Sequence, residues 1–290
     1  MNDCTLCPRN CHVDRSKKLG FCMANDKLKI AKADLFYYEE PCISNKYGSG
    51  AIFFSNCNLK CIFCQNYEIS TNNIGKEITI EEFSDICIDL QNKKAININL
   101  VTPTIYVPLI IEGIKLAKQK GLKIPIIYNS SGYENVDTIK MLDGYIDIYL
   151  PDFKYFNDQI ALKYSKVNNY KEVCITAIEE MYKQVGKCKF QNGILKKGII
   201  VRHLMLPNME DDSKKILKYL YNTYKNNIYI SLMNQYTPIK KLKYKELNKT
   251  IDEKIYEDII NYAYDLGIRN CFVQEEDSKG KCFIPDFKQK

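Results

Sequence analysis

The sequence predicts an α/β fold: a partial, open, TIM-like barrel of six β/α units, (β/α)6, with a cysteine-rich N-terminal arm. Three observations lead there. Strand-like apolar runs recur, and each is followed by a helical pattern. Helix caps and glycine stops punctuate the intervals. The polar motifs sit at the ends of the runs, where barrels of parallel strands collect their functional residues. Strands alternating with helices imply a parallel sheet with right-handed crossovers.

In chain order, Ala51-Ile52-Phe53-Phe54-Ser55 is the first run and delivers the chain into a cysteine loop. Ile96, Ile98 and Leu100 then alternate with Asn97 and Asn99. Ile124-to-Tyr128 follows, with Pro125 weakening its start, then Tyr145-to-Leu150, Gly198-to-Leu206 and Ile228-to-Leu232. A shorter seventh run is Cys271-Phe272-Val273. Thr79 predicts a helix start, with Glu82 placed to complete a capping box. Ile80, Phe83, Ile86, Cys87 and Leu90 form that helix's apolar face. Gly121, Gly186 and Gly267 each follow a helical stretch, where left-handed backbone is needed. Residues before about 45 read as irregular, so the chain divides into an arm, 1–44, and a barrel core, 45–290.

With 290 residues and 46% hydrophobic content, the composition is that of an ordinary globular protein. No apolar run reaches the roughly 18 residues of a membrane span, and Met1-Asn2-Asp3-Cys4 opens no secretory signal. Thirteen cysteines in an unsecreted chain point to metal or redox chemistry, not disulfides, and an oxygen-sensitive cluster would further suggest a reducing cytoplasm. The net charge is +7, yet Lys240-to-Lys245 is the densest basic stretch and resembles no nucleic-acid arm. Neither nucleic acid nor membrane is therefore expected as a partner.

Cys57, Cys61 and Cys64 are spaced C-x3-C-x2-C, with Phe63 just before the last. Three thiolates can hold three irons of a four-iron cluster and leave the fourth iron open for a substrate or cofactor. The competing readings are a zinc knot, which wants a fourth ligand, and a closed cluster using a distant cysteine. The loop resembles the signature of radical S-adenosylmethionine (SAM) enzymes. The resemblance extends to Cys4-Thr5-Leu6-Cys7-Pro8-Arg9-Asn10-Cys11, Glu39-Glu40-Pro41-Cys42, Cys64-Gln65-Asn66-Tyr67, the stretch from Asp147 to Lys154, and Arg202-His203-Leu204. In these, nearly the whole chain is similar to pyruvate formate-lyase activating enzyme-like proteins, in the uncharacterised branch with an extra N-terminal cysteine cluster.

That resemblance implies a partial barrel of the radical SAM type, a [4Fe-4S] cluster on Cys57, Cys61 and Cys64, and SAM on its open iron. It further implies reductive cleavage of SAM to methionine and a 5′-deoxyadenosyl radical that abstracts hydrogen from a substrate. The leading specific reaction is activation of a glycyl radical enzyme, with flavodoxin or ferredoxin as electron donor. Radical modification of a small molecule or another macromolecule is the alternative, and a non-catalytic electron-transfer module is the rival from another class.

For SAM itself the resemblance implies Phe63 beside the adenine. The usual Gly-Gly-Glu-like turn is replaced by Asn99-Leu100-Val101-Thr102-Pro103-Thr104, so Asn99, Thr102 or carbonyls there stand in for its amino-group contact. Asn129-Ser130-Ser131-Gly132 lines the ribose or is an ordinary turn. Asp152 and Lys154 share a face by strand periodicity, Lys154 toward the SAM carboxylate and Asp152 toward ribose or a cation; a surface ion pair is the bland reading. Arg202 is a charge within a strand, costly unless paired, and by resemblance faces SAM. His203 must point the opposite way and reads as structural. Gln235 and Tyr236 resemble a late SAM-contacting segment.

Cys4, Cys7, Cys11 and Cys22 form a second set, C-x2-C-x3-C-x10-C, suited to zinc or to an iron–sulfur cluster, with no tightly bound metal as the remaining reading. His12 or Cys42 is an alternative for one ligand of this set. Cys87, Cys174, Cys188, Cys271 and Cys282 read as core or surface thiols.

Overall fold

The computed structural model describes residues 3–274 and residue 287. Its strands are β1 (Leu28–Phe36), β2 (Ser49–Phe54), β3 (Lys76–Ile78), β4 (Ile98–Val101), β5 (Ile126–Ser130), β6 (Ile148–Pro151), β7 (Lys189–Gln191), β8 (Ile194–Leu204), β9 (Tyr229–Met233) and β10 (Cys271–Val273). The helices are α1 (Pro41–Ser44), α2 (Tyr67–Ser70), α3 (Ile80–Asn92), α4 (Val107–Gln119), α5 (Val136–Met141), α6 (Asp158–Ser165), α7 (Tyr170–Val185), α8 (Glu210–Tyr224) and α9 (Glu253–Leu266).

The hydrogen-bonded order is β10-β9-β8-β6-β5-β4-β2-β1-β3, with β7 on β8. From β2 through β10 along that path every pairing is parallel. Among the described residues the sheet does not close on itself, so the barrel is open as expected. All seven predicted runs are strands. Residues before about 45 are not all irregular, however: β1 is a nine-residue strand lying antiparallel on β2.

Period-2 alternation sorts β2 into two faces. Ile52 and Phe54 pack under the helices with Phe83 of α3, while Ala51 and Phe53 face the lumen with Val101. Helix α3 starts as predicted: Glu82 N donates to Thr79 Oγ1 and Thr79 N to Glu82 Oε2. The short helix α1 fills the lumen floor. Its Cys42 and Ile43 pack with Ile127, Ile148, Leu150 and Ile200 from the inner faces of β5, β6 and β8. Asn97 ties it down, its amide donating 2.7 Å to the Ile43 carbonyl. No helix among the described residues is long and apolar enough to cross a membrane.

Candidate active site

The C-terminal ends of the parallel strands surround a cavity of about 480 Å³. Its walls include all three cysteines of the C-x3-C-x2-C loop, with Thr102, Asn129, Asp152, Lys154, Arg202 and Gln235. These residues come from six strand ends far apart in sequence, so the topology, not the sequence separation, assembles them.

The cysteine loop leaves β2 and is held from behind. Ser165 Oγ donates 2.9 Å to Cys61 Sγ, Leu59 N lies 3.4 Å from Cys57 Sγ, and Ile62 N donates 2.9 Å to the Tyr164 carbonyl. Burial pushes the Cys57 thiol well up and Cys61 to about 11, against the pull of the Lys154 ammonium. Metal ligation must therefore displace protons from these sulfurs. Among the described residues no three His, Cys, Asp or Glu side chains gather tightly enough to hold a metal ion. A four-iron cluster takes its thiolates around a cube, each on a different iron. Three cysteines on one short loop, all lining one cavity beside a lysine, fit that demand.

Asp152 and Lys154 share a face at the end of β6, as predicted, and pair at 2.5 Å with side chains only 21% and 17% exposed. They are cavity walls, not surface decoration. Burial alone would discharge Lys154, but Asp152 outweighs it and holds the ammonium charged. Behind the pair, Gly132 sits at φ +73, and an added Cβ would lie 2.2 Å from the Asp152 carbonyl. A glycine is needed there for close approach.

Arg202 points into the lumen, where it is paired. Its Nε donates 2.8 Å to Glu40 Oε1, and Nη2 reaches Glu40 Oε2 at 2.5 Å and Glu39 Oε2. Burial would raise the Glu40 carboxyl, but Arg202 outweighs it and holds it low. Asn99 is fully buried, its amide donating 2.8 Å to Glu39 Oε1, and it is not among the cavity walls. Nothing in the sequence around Glu39 and Glu40 assigns them a role; the cost of burying Arg202 unpaired within a strand is the signal that partners must exist. Thr102 lines the cavity at φ +61, an unusual conformation for a β-branched residue, with its N–H donating 2.8 Å to the Asn129 carbonyl. Phe63 stands edge-on to Tyr236, ring centroids 5.9 Å apart. Tyr236 itself is buried, its hydroxyl on the Leu247 carbonyl, so only Gln235 of that segment reaches the cavity. His203 faces away, between the Phe153 carbonyl and Ser213 Oγ, as expected of a structural residue.

Glu134, just past the Asn129-to-Gly132 turn, was not foreseen. It is buried, accepts from Thr104 Oγ1 at 2.7 Å and Tyr128 OH at 3.1 Å, and burial lifts its carboxyl from 4.5 to about 7. The folded protein therefore binds more protons than the unfolded chain between those values, and stability falls as pH rises through that window. The loss is on the order of 3 kcal/mol. Glu134→Gln is expected to flatten the dependence and to stabilise the protein above neutral pH. Urea midpoints measured across the window check this; an unchanged slope would refute it.

The arm docks on the cysteine loop. Arg9 Nε donates 3.0 Å to the Asn58 carbonyl and Nη1 donates 2.7 Å to the Lys166 carbonyl, while its guanidinium lies 3.8 Å over the Phe21 ring. Cys4, Cys7 and Cys22 are buried, and Phe21 N lies 3.4 Å from Cys11 Sγ. A Cβ added at Gly20 would lie 3.7 Å from both the Cys11 and the Cys22 sulfurs. Burial lifts Cys7 to about 12 and raises Cys22. Cys42 is not an alternative ligand there, because it belongs to the lumen floor. His12 is on the arm surface, 2.8 Å from Asp3. Cys87 and Cys174 are buried, Cys188 and Cys271 half-buried, and Cys282 lies outside the described residues.

The Radical SAM superfamily model matches residues 51–220. An uncharacterised protein of Methanocaldococcus jannaschii is 30% identical over 281 residues, covering 92% of this chain and 76% of the relative. The pyruvate formate-lyase-activating enzyme of Clostridium pasteurianum is 26% identical over 206 residues, covering 68% of this chain and 79% of that enzyme. A radical SAM methyltransferase from Sphaerobacter thermophilus superposes with a TM-score of 0.56 at 11% identity. It covers 78% of this chain and 66% of its own, a likeness of fold alone.

Proposed function

The chain belongs to the radical SAM superfamily, and from that premise we propose that it cleaves SAM reductively at the described cavity and abstracts a hydrogen atom from a bound substrate. Family membership implies a four-iron cluster and SAM. The observation that carries the reading is the opening of Cys57, Cys61 and Cys64 onto one cavity with the Asp152–Lys154 pair. Held by Cys57, Cys61 and Cys64, such a cluster would supply the single electron for reductive cleavage of SAM. Everything else falls to the chain's own residues. Lys154 offers a fixed ammonium to the SAM carboxylate, and Asp152 fixes Lys154 and faces the ribose. Phe63 gives an apolar edge for the adenine, and Thr102 and Asn129 offer polar groups from the ends of β4 and β5. Arg202 shapes the lumen through Glu39 and Glu40, and Asn99 acts through Glu39. The buried walls keep water from the reacting atoms.

The decisive test is anaerobic reduction of the reconstituted protein with SAM. Formation of 5′-deoxyadenosine is expected; a protein that only stores or passes electrons forms none. Lys154→Ala is expected to weaken SAM binding while leaving the iron content intact. A charge-assisted contact contributes about 1.5–3 kcal/mol, or on the order of a 10- to 150-fold change in affinity. Equilibrium dialysis of SAM reads this directly, and an unchanged Kd would remove Lys154 from the site.

For the finer reaction, we favour activation of a partner glycyl radical enzyme at a glycine Cα–H, a reading supported by the activating-enzyme name of the Clostridium pasteurianum relative. Co-purification from anaerobic lysate, followed by detection of a glycine-centred radical on the partner, tests it against modification of a small molecule. The electron donor in this reading is a flavodoxin or ferredoxin. The arm is read as a second metal site, zinc or iron–sulfur, on Cys4, Cys7, Cys11 and Cys22. Support comes from the buried sulfurs of Cys4, Cys7 and Cys22 and from the hydrogen bond to Cys11.

A further inference from the structure

The loop between β9 and α9 carries Lys240, Lys241, Lys243, Lys245 and Lys249, all exposed, against Glu246 as its one acidic residue up to position 249. Among the described residues none of the five lysines makes an ion pair, while Glu246 is taken by Lys163 at 2.7 Å. A cluster of like charge left unneutralised has a cost in self-repulsion and a use in attracting an opposite surface.

The position of this loop gives the charge its meaning. At its start, the Gln65 side-chain amide donates 3.3 Å to the Gln235 carbonyl, and Tyr236 packs on Phe63. Lys240 lies 4.8 Å over the ring of Tyr67, three residues past Cys64. Further on, Tyr244 stacks edge-on against Tyr164 at 5.3 Å. The Tyr164 carbonyl and the adjacent Ser165 hydroxyl are the groups that bond Ile62 N and Cys61 Sγ. The basic loop is thus fastened at its start to the segment bearing the cysteines and, through Tyr244 on Tyr164, to the groups behind that segment. One packed layer, Tyr164 and Ser165, separates part of it from the Cys61 sulfur.

We propose that this basic loop is the docking surface for an acidic protein that carries single electrons. The proposal rests on the reading that a cluster at Cys57, Cys61 and Cys64 needs an external electron. In the transfer the carrier is oxidised by one electron and the iron site is reduced by one, with no bond made or broken. Charge complementarity on a surface this close to a ligand sulfur orients the carrier and raises its encounter rate. A single-stranded nucleic acid fits less well. Such a ligand needs aromatic faces on which bases stack, and here Tyr236 is buried, Tyr244 packs on Tyr164, and Lys240 covers Tyr67.

The test compares the reconstituted wild type with Lys241→Glu/Lys243→Glu/Lys245→Glu, using oxidised flavodoxin as the binding probe at low and high salt. Binding that weakens with salt is expected for the wild type. The variant should bind about 10- to 100-fold more weakly and lose most of the salt dependence. Lys115→Glu/Lys118→Glu/Lys123→Glu changes the net charge equally on exposed positions in and just after α4, and should bind as the wild type does. With dithionite as reductant, both variants should form 5′-deoxyadenosine at the wild-type rate, which also verifies their folding. The proposal is overturned if the wild type fails to bind flavodoxin, or if both charge variants weaken equally. It is also overturned if the loop variant loses affinity for tRNA and keeps it for flavodoxin. Absence of 5′-deoxyadenosine from the dithionite-reduced wild type would instead sink the radical reading, and the binding result stands apart from it.

Discussion

Cys57→Ala, Cys61→Ala and Cys64→Ala are each expected to eliminate SAM-dependent formation of 5′-deoxyadenosine. In the proposed site each removes one of three protein ligands, and among the described residues the cavity offers no fourth cysteine to replace it. The arm's cysteines are not among the walls of that cavity. A protein with all three substitutions should therefore keep one site's worth of metal in the arm, while Cys4→Ala/Cys7→Ala should lose that metal and retain SAM cleavage with dithionite. Iron, sulfide and zinc analysis after anaerobic reconstitution distinguishes the two sites. Full activity in any single variant would refute the ligand assignment, and a metal-free triple variant would reduce the arm to a cover on the cysteine loop.

The parallel core was legible because burial on both faces leaves near-continuous apolar runs, and each of these proved to be a strand. What escaped had other causes. Asn192-Gly193 is a hairpin signal. Both residues take positive φ and turn β7 into β8, so β8 begins at Ile194, four residues ahead of the predicted Gly198. Strand β1 was hidden because Leu28, Ile30 and Leu35 alternate weakly with lysines and sit next to a cysteine-rich segment that reads as irregular. The site was legible where chemistry and spacing coincide, in the cysteine loop and in Asp152/Lys154. Glu39 and Glu40 could not be placed, because nothing local says that the link from β1 to β2 enters the lumen. Asn99 illustrates the same limit: its strand position was right, but Glu39 stands between it and the cavity. Ser165 and Arg9, which hold the cysteine loop from outside, meet it across sequence separations of 104 and 49 residues.

The Arg202–Glu39–Glu40 cluster is where a single substitution should cost the fold most. It joins β8 to the β1–β2 link across the lumen of an open sheet, and both carboxylates are nearly sealed from water, with side chains 8% and 5% exposed. Arg202→Met leaves two buried carboxylates facing each other without a cation. Breaking a buried pair in this way costs about 3–5 kcal/mol, mostly for the stranded charge rather than for the lost attraction. Adding Glu39→Gln and Glu40→Gln should then recover most of the loss. Neutral amides carry no such penalty, and the amide oxygen introduced by Glu39→Gln can still accept from Asn99. The pH response separates this account from a simple packing defect. In the wild type Arg202 holds the Glu40 carboxyl below its ordinary 4.5, so its contribution is present above that value and is lost as pH falls through the lower, folded one. In Arg202→Met the same carboxyl is raised instead, so the variant takes up protons on folding and regains stability as the solution becomes mildly acidic. Urea midpoints at neutral and mildly acidic pH should therefore converge for wild type and variant on the acidic side. A difference below about 1 kcal/mol at neutral pH, or one that does not shrink with acid, would mean that the guanidinium is not what keeps these carboxylates buried.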